Sequence, residues 1–235
     1  MNTQSVINRL LEDRPSFHGQ SGEYNWALGS DVLEWLGKTI QPGDYTLETG
    51  CGYSTIVFAA SGANHTTISP VAEEHTRIRS WGQQNGISFE TVKFFADRSE
   101  NVLPTLESIP IRVALIDGWH AFPGPFLDWF FVCKALQVGG FVIVDDTQLR
   151  TCAILRDFLA SETPRWRRTC CLGKTEVFEK LTDDLFVGDW PTQPFNTTIA
   201  EEIPAPKSHS GMFIRSIPGV VPFARMLRSL NRRIR

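Results

Sequence analysis

Between about residue 45 and residue 161 the chain alternates short apolar runs of strand length with stretches that carry apolar residues at helical spacing. Strands are expected at 45–48, 65–69, 88–95, 111–116 and 140–145. Helices are expected at 26–37, from 55, at 71–84, around 99–108, and at 123–136 and 148–161. Strands separated by helices of this length form a parallel sheet covered on both faces. Ile111-Arg112-Val113-Ala114-Leu115-Ile116 and Phe141-Val142-Ile143-Val144 are nearly continuous apolar runs, so they belong deep in that sheet. After residue 163 the pattern changes. Trp166 to Leu172 and Thr175 to Lys180 are separated only by Gly173-Lys174, which reads as a β-hairpin.

A chain of 235 residues can bury one enzyme-sized core. Residues 1–182, with a helical cap at the N-terminus, are read as that domain. Residues 183–235 are read as a meander ending in a basic tail. The segment from Lys207 to Arg235 holds seven Lys and Arg and no acid, interleaved with apolar residues. That is either a solvated terminal helix or an amphipathic helix touching an anionic membrane surface or a partner. A net charge of −3 gives no pull toward nucleic acid, so a small-molecule acceptor is the expected partner, and homo-oligomerisation is compatible with the sequence. Five cysteines without paired C-x-x-C spacing, and an N-terminus without a signal-peptide pattern, fit a reduced cytoplasmic location.

The segment Glu48-Thr49-Gly50-Cys51-Gly52-Tyr53-Ser54-Thr55 places two glycines where a strand gives way to a helix. Glycine suits a backbone that must turn tightly and approach a ligand closely. A dinucleotide fingerprint would want glycine or alanine where Thr55 stands, and Glu48 would repel a pyrophosphate. An ammonium group would be attracted instead. A tight turn without a ligand is the alternative.

An acid followed by x-G-x-G at the end of the first strand resembles the first motif of class I S-adenosylmethionine-dependent methyltransferases. The resemblance spans roughly residues 25–180. It is strongest to the small metal-dependent O-methyltransferases of the catechol and caffeoyl-CoA type and their sugar- and natural-product-methylating relatives, those like methyltransferase family 24. It implies an α/β, Rossmann-like, doubly wound and mostly parallel seven-stranded sheet, with helices on both faces and a C-terminal hairpin. It implies Glu48, Gly50 and Gly52 at the methionine end of S-adenosylmethionine, with Ser54 near the carboxylate. The second strand departs from the family by ending in Ile68-Ser69-Pro70 rather than an acid, so Ser69 is the candidate for the ribose, while acids follow only at Glu73 and Glu74. Ala96 and Asp97 match the loop that meets the adenine, and Asp97 could equally cap the next helix.

Asp117-Gly118-Trp119-His120 follows the fourth expected strand, and Asp145-Asp146 follows the fifth. Three carboxylates brought together would repel one another and raise each other's pKa, which a divalent cation would relieve. The resemblance implies Mg2+ held by Asp117, Asp145 and Asp146, with Asp117 also beside the cofactor and His120, in an Asp-x-x-His spacing, as general base toward an acceptor hydroxyl. The acceptor so implied is a small hydroxylated molecule, a sugar or secondary metabolite. Asp145 and Asp146 could instead cap a helix, and His120 could be a loop histidine, which leaves a metal-independent small-molecule methyltransferase or a non-catalytic cofactor-binding protein as alternatives. Trp119 and Phe122 are candidates for the acceptor wall, Trp129 for the core. His65 and His75 read as structural, and His18 as part of a lid.

Overall fold

The computed structural model describes residues 2–19, 21–107, 109–185 and 189–197. The chain runs α1 (Thr3–Asp13), α2 (Ser30–Thr39), β1 (Tyr45–Thr49), α3 (Tyr53–Ala60), β2 (Asn64–Ile68), α4 (Ala72–Gln84), β3 (Val92–Phe95), α5 (Ser99–Val102), β4 (Ile111–Ile116), α6 (Gly124–Ala135), β5 (Leu136–Val144), α7 (Arg150–Ser161), β6 (Trp166–Leu172), β7 (Thr175–Lys180) and α8 (Pro194–Thr197). The strands form one sheet in the order β3-β2-β1-β4-β5-β7-β6. The first five are parallel, whereas β7 runs antiparallel to β5 and forms a hairpin with β6. The doubly wound sheet with its terminal hairpin is the architecture that the alternation demands.

Alternation along the central strands decides which helix packs where. Val113, Leu115 and Ile143 point to the face covered by α1 to α4, whose contribution includes Ile7, Leu10, Leu33, Leu36 and Ile56. Ala114, Ile116, Val142 and Val144 point to the other face, covered by Trp129, Val132, Leu155 and Leu159 of α6 and α7. Each such aliphatic side chain, fully buried, stabilises the fold by about 1.5–3 kcal/mol. The sheet order reverses at β1, between β2 and β4, so the crevice where ligands settle in open α/β sheets lies at the carboxyl ends of β1 and β4.

Several boundaries differ from expectation for local reasons. The helix expected at 26–37 starts at Ser30, after Gly29, which leaves Trp26 in the preceding loop and 66% exposed. The third strand starts at Val92 rather than 88, because Gly86 turns the chain with φ +71 and the Phe89 carbonyl accepts from the Val92 amide at 3.1 Å in a tight turn. The helix expected around 99–108 stops at Val102 and continues as a single 3-10 turn containing Pro104, which has no amide to extend an α-helix. The fifth strand begins at Leu136, where α6 ends, and passes through Gly139 at φ +79. Among the described residues no helix is long and apolar enough to cross a membrane. The basic tail from Lys207 lies outside the described residues; of the expected meander, residues 190–192 form a 3-10 turn and Pro194–Thr197 a short helix.

Candidate functional site

A cavity of about 850 Å3 opens at the carboxyl ends of the parallel strands. Its floor is Thr49-Gly50-Cys51 after β1, Ile68 and Ser69 after β2, and Asp117 to His120 after β4. Asp145, Asp146 and Lys174 close one side, and Glu74 with His18 and Asn25 to Ala27 close another.

Gly50 is what allows these loops to meet. It sits at φ +94, and a Cβ there would lie 2.3 Å from the carbonyl oxygen of Asp117. Its amide donates to Ile68 O at 2.8 Å, and its carbonyl accepts from Thr67 Oγ1 at 2.9 Å, tying the ends of β1 and β2 together. Gly52 has a different task, donating its amide to Thr55 Oγ1 at 2.9 Å as α3 begins.

Glu48, expected at the methionine end of a cofactor, is not among the residues that line the cavity. It is 1% exposed and turned into the protein, where Ser54 Oγ donates to Oε2 at 2.5 Å, Thr55 Oγ1 donates to Oε1, and His65 Nε2 lies 3.2 Å from Oε1. With both carboxylate oxygens engaged, Glu48 and Ser54 shape the glycine loop from behind. His65 is structural as expected, bonded to Thr46 Oγ1 at 2.8 Å and stacked on Phe58. Gly52 is likewise absent from the cavity wall.

Ser69 does face the cavity, and beside it stands a residue that strand-end reasoning passed over. Glu74, in the first turn of α4, is buried and directs its carboxylate back toward β1 and β2. Its oxygens accept from Gly19 N–H at 3.2 Å, Ser69 Oγ at 3.4 Å and Cys51 Sγ at 3.5 Å, with His18 Nδ1 at 3.4 Å. Burial raises its pKa, but the His18 hydrogen bond and charge outweigh burial and hold the carboxyl below its ordinary value. The Cys51 thiol is pushed far up by burial and stays protonated. The signal in the sequence was the acid five residues after Ser69, on a helix that begins where β2 ends.

Ala96 and Asp97 are exposed and outside the cavity. Asp97 Oδ1 instead accepts from the Arg98 amide at 2.7 Å and from Asn101 Nδ2 at 3.0 Å, so it fixes its own loop. Arg98, Ser99 and Glu100 reach the cavity in their place. Arg98 lies over the Trp119 ring at 4.9 Å. Trp119 is on the wall, Phe122 is 72% exposed and off it, and Trp129 is in the core, edge-on to Phe158.

The acidic cluster forms, with a different membership from the one expected. Asp117, His120 and Asp146 each place one donor atom within 4.8 Å of the others. His120 Nε2 is 3.4 Å from Asp117 Oδ1 and 3.5 Å from Asp146 Oδ2, and it has no hydrogen-bond partner of good geometry. Asp145 is not in this group. It is 2% exposed, accepts from Thr175 Oγ1, and lies 3.3 Å from Lys174 Nζ. Lys174 Nζ also donates to Asp146 Oδ1 at 2.6 Å. Asp146 itself adopts φ +52, a left-handed conformation that aspartate tolerates better than most residues.

The electrostatics follow from these neighbours. Burial, followed by the charges of Asp145 and Asp146, pushes the Asp117 carboxyl up to about 7 against the pull of His120. The Asp117 carboxylate beside it raises the His120 imidazole above its ordinary value, against burial. Asp146 is raised by burial but lowered more by Lys174 and Gln148, and Lys174 is raised by the same pairing despite its desolvation.

A family model described as a methyltransferase domain matches residues 47–147. No curated protein matches the sequence. Among solved structures, the chain is similar to an O-methyltransferase from Bacillus cereus in complex with SAH, at 16% identity and a TM-score of 0.57 over 76% of this chain and 91% of that one. It is similar to TomG from Streptomyces achromogenes, an O-methyltransferase involved in tomaymycin synthesis and solved with SAM, at 16% identity and a TM-score of 0.55 over 77% and 89%. An rRNA methylase from Streptococcus thermophilus matches at 16% identity and a TM-score of 0.52 over 63% and 93%. At these identities the solved structures establish a shared fold.

Proposed function

We propose that this chain is a class I S-adenosylmethionine-dependent methyltransferase that methylates a hydroxyl group of a small molecule, with His120 as the general base. The observation that carries this reading is the placement of His120 Nε2, without a good hydrogen-bond partner, between Asp117 and Asp146 on the same cavity as the Gly50 loop. The cavity volume, about 850 Å3, falls within the range of small-molecule sites, about 300–1,000 Å3.

Bound S-adenosylmethionine supplies an electrophilic methyl group on a sulfonium. Gly50 would admit it close to the backbone, and Ser69 and Glu74, whose mutual and neighbouring contacts are long at 3.2–3.5 Å, would be available to hold its ribose hydroxyls. His120 Nε2 would be placed to take the proton of an acceptor hydroxyl aligned with that methyl group. Asp117 and Asp146 stabilise the resulting imidazolium. Trp119 supplies a flat wall against which an acceptor ring can lie.

The donor set does not fit the all-oxygen magnesium site that the resemblance implies. It offers two carboxylates and an imidazole, with an ammonium already on Asp146. An RNA acceptor, suggested by the likeness to an rRNA methylase, is disfavoured by a cavity lining in which Glu74, Glu100, Asp117, Asp145 and Asp146 outnumber Arg98 and Lys174.

Labelled S-adenosylmethionine, offered with a panel of hydroxylated sugars and phenols, tests the proposal. Transfer should rise with pH through a midpoint above the ordinary histidine value, because the base must be neutral and its pKa is raised. Replacing His120 with Gln should lower transfer by about 10^2–10^4-fold while leaving SAH binding intact. Full transfer by that variant would remove His120 from the mechanism.

A further inference from the structure

We propose that Lys174 is a built-in counter-cation which takes the charge-balancing place of a divalent metal in this acidic cluster. The proposal rests on the methyltransferase reading for its purpose, but its geometry stands apart from it. Lys174 comes from the two-residue turn of the β6–β7 hairpin, and its backbone and side chain are both anchored at the site. Its carbonyl accepts from the Thr147 amide at 2.9 Å and from Thr147 Oγ1 at 2.7 Å. Thr175, the next residue, donates to Asp145 Oδ1. The turn is therefore clasped onto the Asp145-Asp146-Thr147 segment at the Lys174 carbonyl and at the next residue, Thr175, which fixes where the ammonium can reach.

From that position Nζ meets Asp146 Oδ1 at 2.6 Å and Asp145 Oδ2 at 3.3 Å. Gln148 Nε2 also donates to Asp146 Oδ1, at 2.8 Å, so that oxygen is doubly engaged. Only Oδ2 of Asp146 faces His120. A cation placed among Asp117, His120 and Asp146 would share a carboxylate with an ammonium a few ångströms away, and the two positive charges would repel. The lysine thus supplies the positive charge that the adjacent Asp145 and Asp146 carboxylates need. It also holds Asp146 in the orientation from which Oδ2 supports His120, which makes it a positioning residue.

Mn2+ serves as the probe, read by the loss of its free-ion paramagnetic resonance signal on titration into the full-length protein. Wild type should bind Mn2+ only weakly, and Lys174→Met, which keeps the stem and deletes the charge, should bind it at least tenfold more tightly. Lys174→Arg, which keeps the charge, should resemble wild type; this separates loss of charge from general disturbance of the turn. Adding Asp146→Asn to Lys174→Met should abolish the gain. Mn2+ binding to wild type as tight as to Lys174→Met, or no gain in Lys174→Met, would overturn the proposal. SAH binding measured by calorimetry on the same wild-type sample reports on the methyltransferase reading separately: its absence would remove that reading and leave the Mn2+ comparison intact.

Discussion

At the scale of single residues, the site depends on one position having no side chain. At φ +94 a residue with a Cβ costs about 1–3 kcal/mol, and at Gly50 the Cβ also meets the Asp117 carbonyl oxygen, which is backbone and cannot swing aside. Gly50→Ala should therefore lose stability by more than the conformational cost alone and lose SAH binding as the β1 and β4 loops separate. Gly43 is the matched control. It has φ +87 with nothing within 4 Å of an added Cβ, so Gly43→Ala should lose only the conformational part and bind SAH as wild type does. Urea denaturation with calorimetry on both variants checks this, and equal SAH affinity in the two would refute the role given to Gly50. His120 and Asp117 could be picked from the sequence because their residue types announce chemistry. Glu48 has the same chemistry and faces away, since the alternation of a strand sends Glu48 and Thr49 to opposite faces, and two hydroxyls and an imidazole wait behind it.

Elements show a similar division. The parallel strands were legible because Ile111 to Ile116 and Phe141 to Val144 are apolar on both faces, a property of composition that needs no tertiary information. The hairpin was legible too, but its function was not: in sequence Gly173-Lys174 is an ordinary turn, and only the antiparallel pairing of β7 with β5 carries it to Asp145 and Asp146. Helix α6 conceals another such residue. Asp128 lies on it between apolar neighbours and is 1% exposed, close to Thr49 and Ser99, and burial pushes its carboxyl above the ordinary value. A raised folded-state pKa means that the folded protein binds the proton more tightly than the unfolded chain. That contribution to stability is fully present below the unfolded value of about 3.9 and is lost as pH rises through the folded value. Asp128→Asn removes the titration at nearly constant shape. Its melting temperature relative to wild type should be higher at pH 8 than at pH 4, and a difference that does not change with pH would mean that Asp128 stays ionised in the folded state.

On the scale of the whole molecule, the sheet supplies only one side of the cavity, and the segment between α1 and α2 supplies the opposite wall through His18, Asn25, Trp26 and Ala27. That segment was hard to read because it has no periodicity; its path is fixed by distant partners. Arg77 on α4 donates to Phe17 O at 2.7 Å and to Gly19 O at 2.5 Å, while Glu74, one helical turn earlier, receives the Gly19 amide and lies beside His18. Phe17 adds an apolar anchor, 2% exposed and edge-on to Tyr53 and Trp81. Hydrogen bonds from a charged donor contribute about 1.5–3 kcal/mol each, so losing the guanidinium should release the polar half of this clamp and leave the aromatic half. In Arg77→Ala, amide exchange should accelerate in residues 17–27 and stay slow in β1, β4 and β5. SAH should bind about tenfold more weakly, a loss of about 1.4 kcal/mol, if the wall it touches is held in place by α4. Unchanged exchange in that segment would mean that Phe17 alone seats it. Faster exchange with undiminished SAH affinity would assign the segment to the acceptor side of the cavity, where Trp26, stacked on both His18 and Tyr24, already presents an exposed aromatic surface.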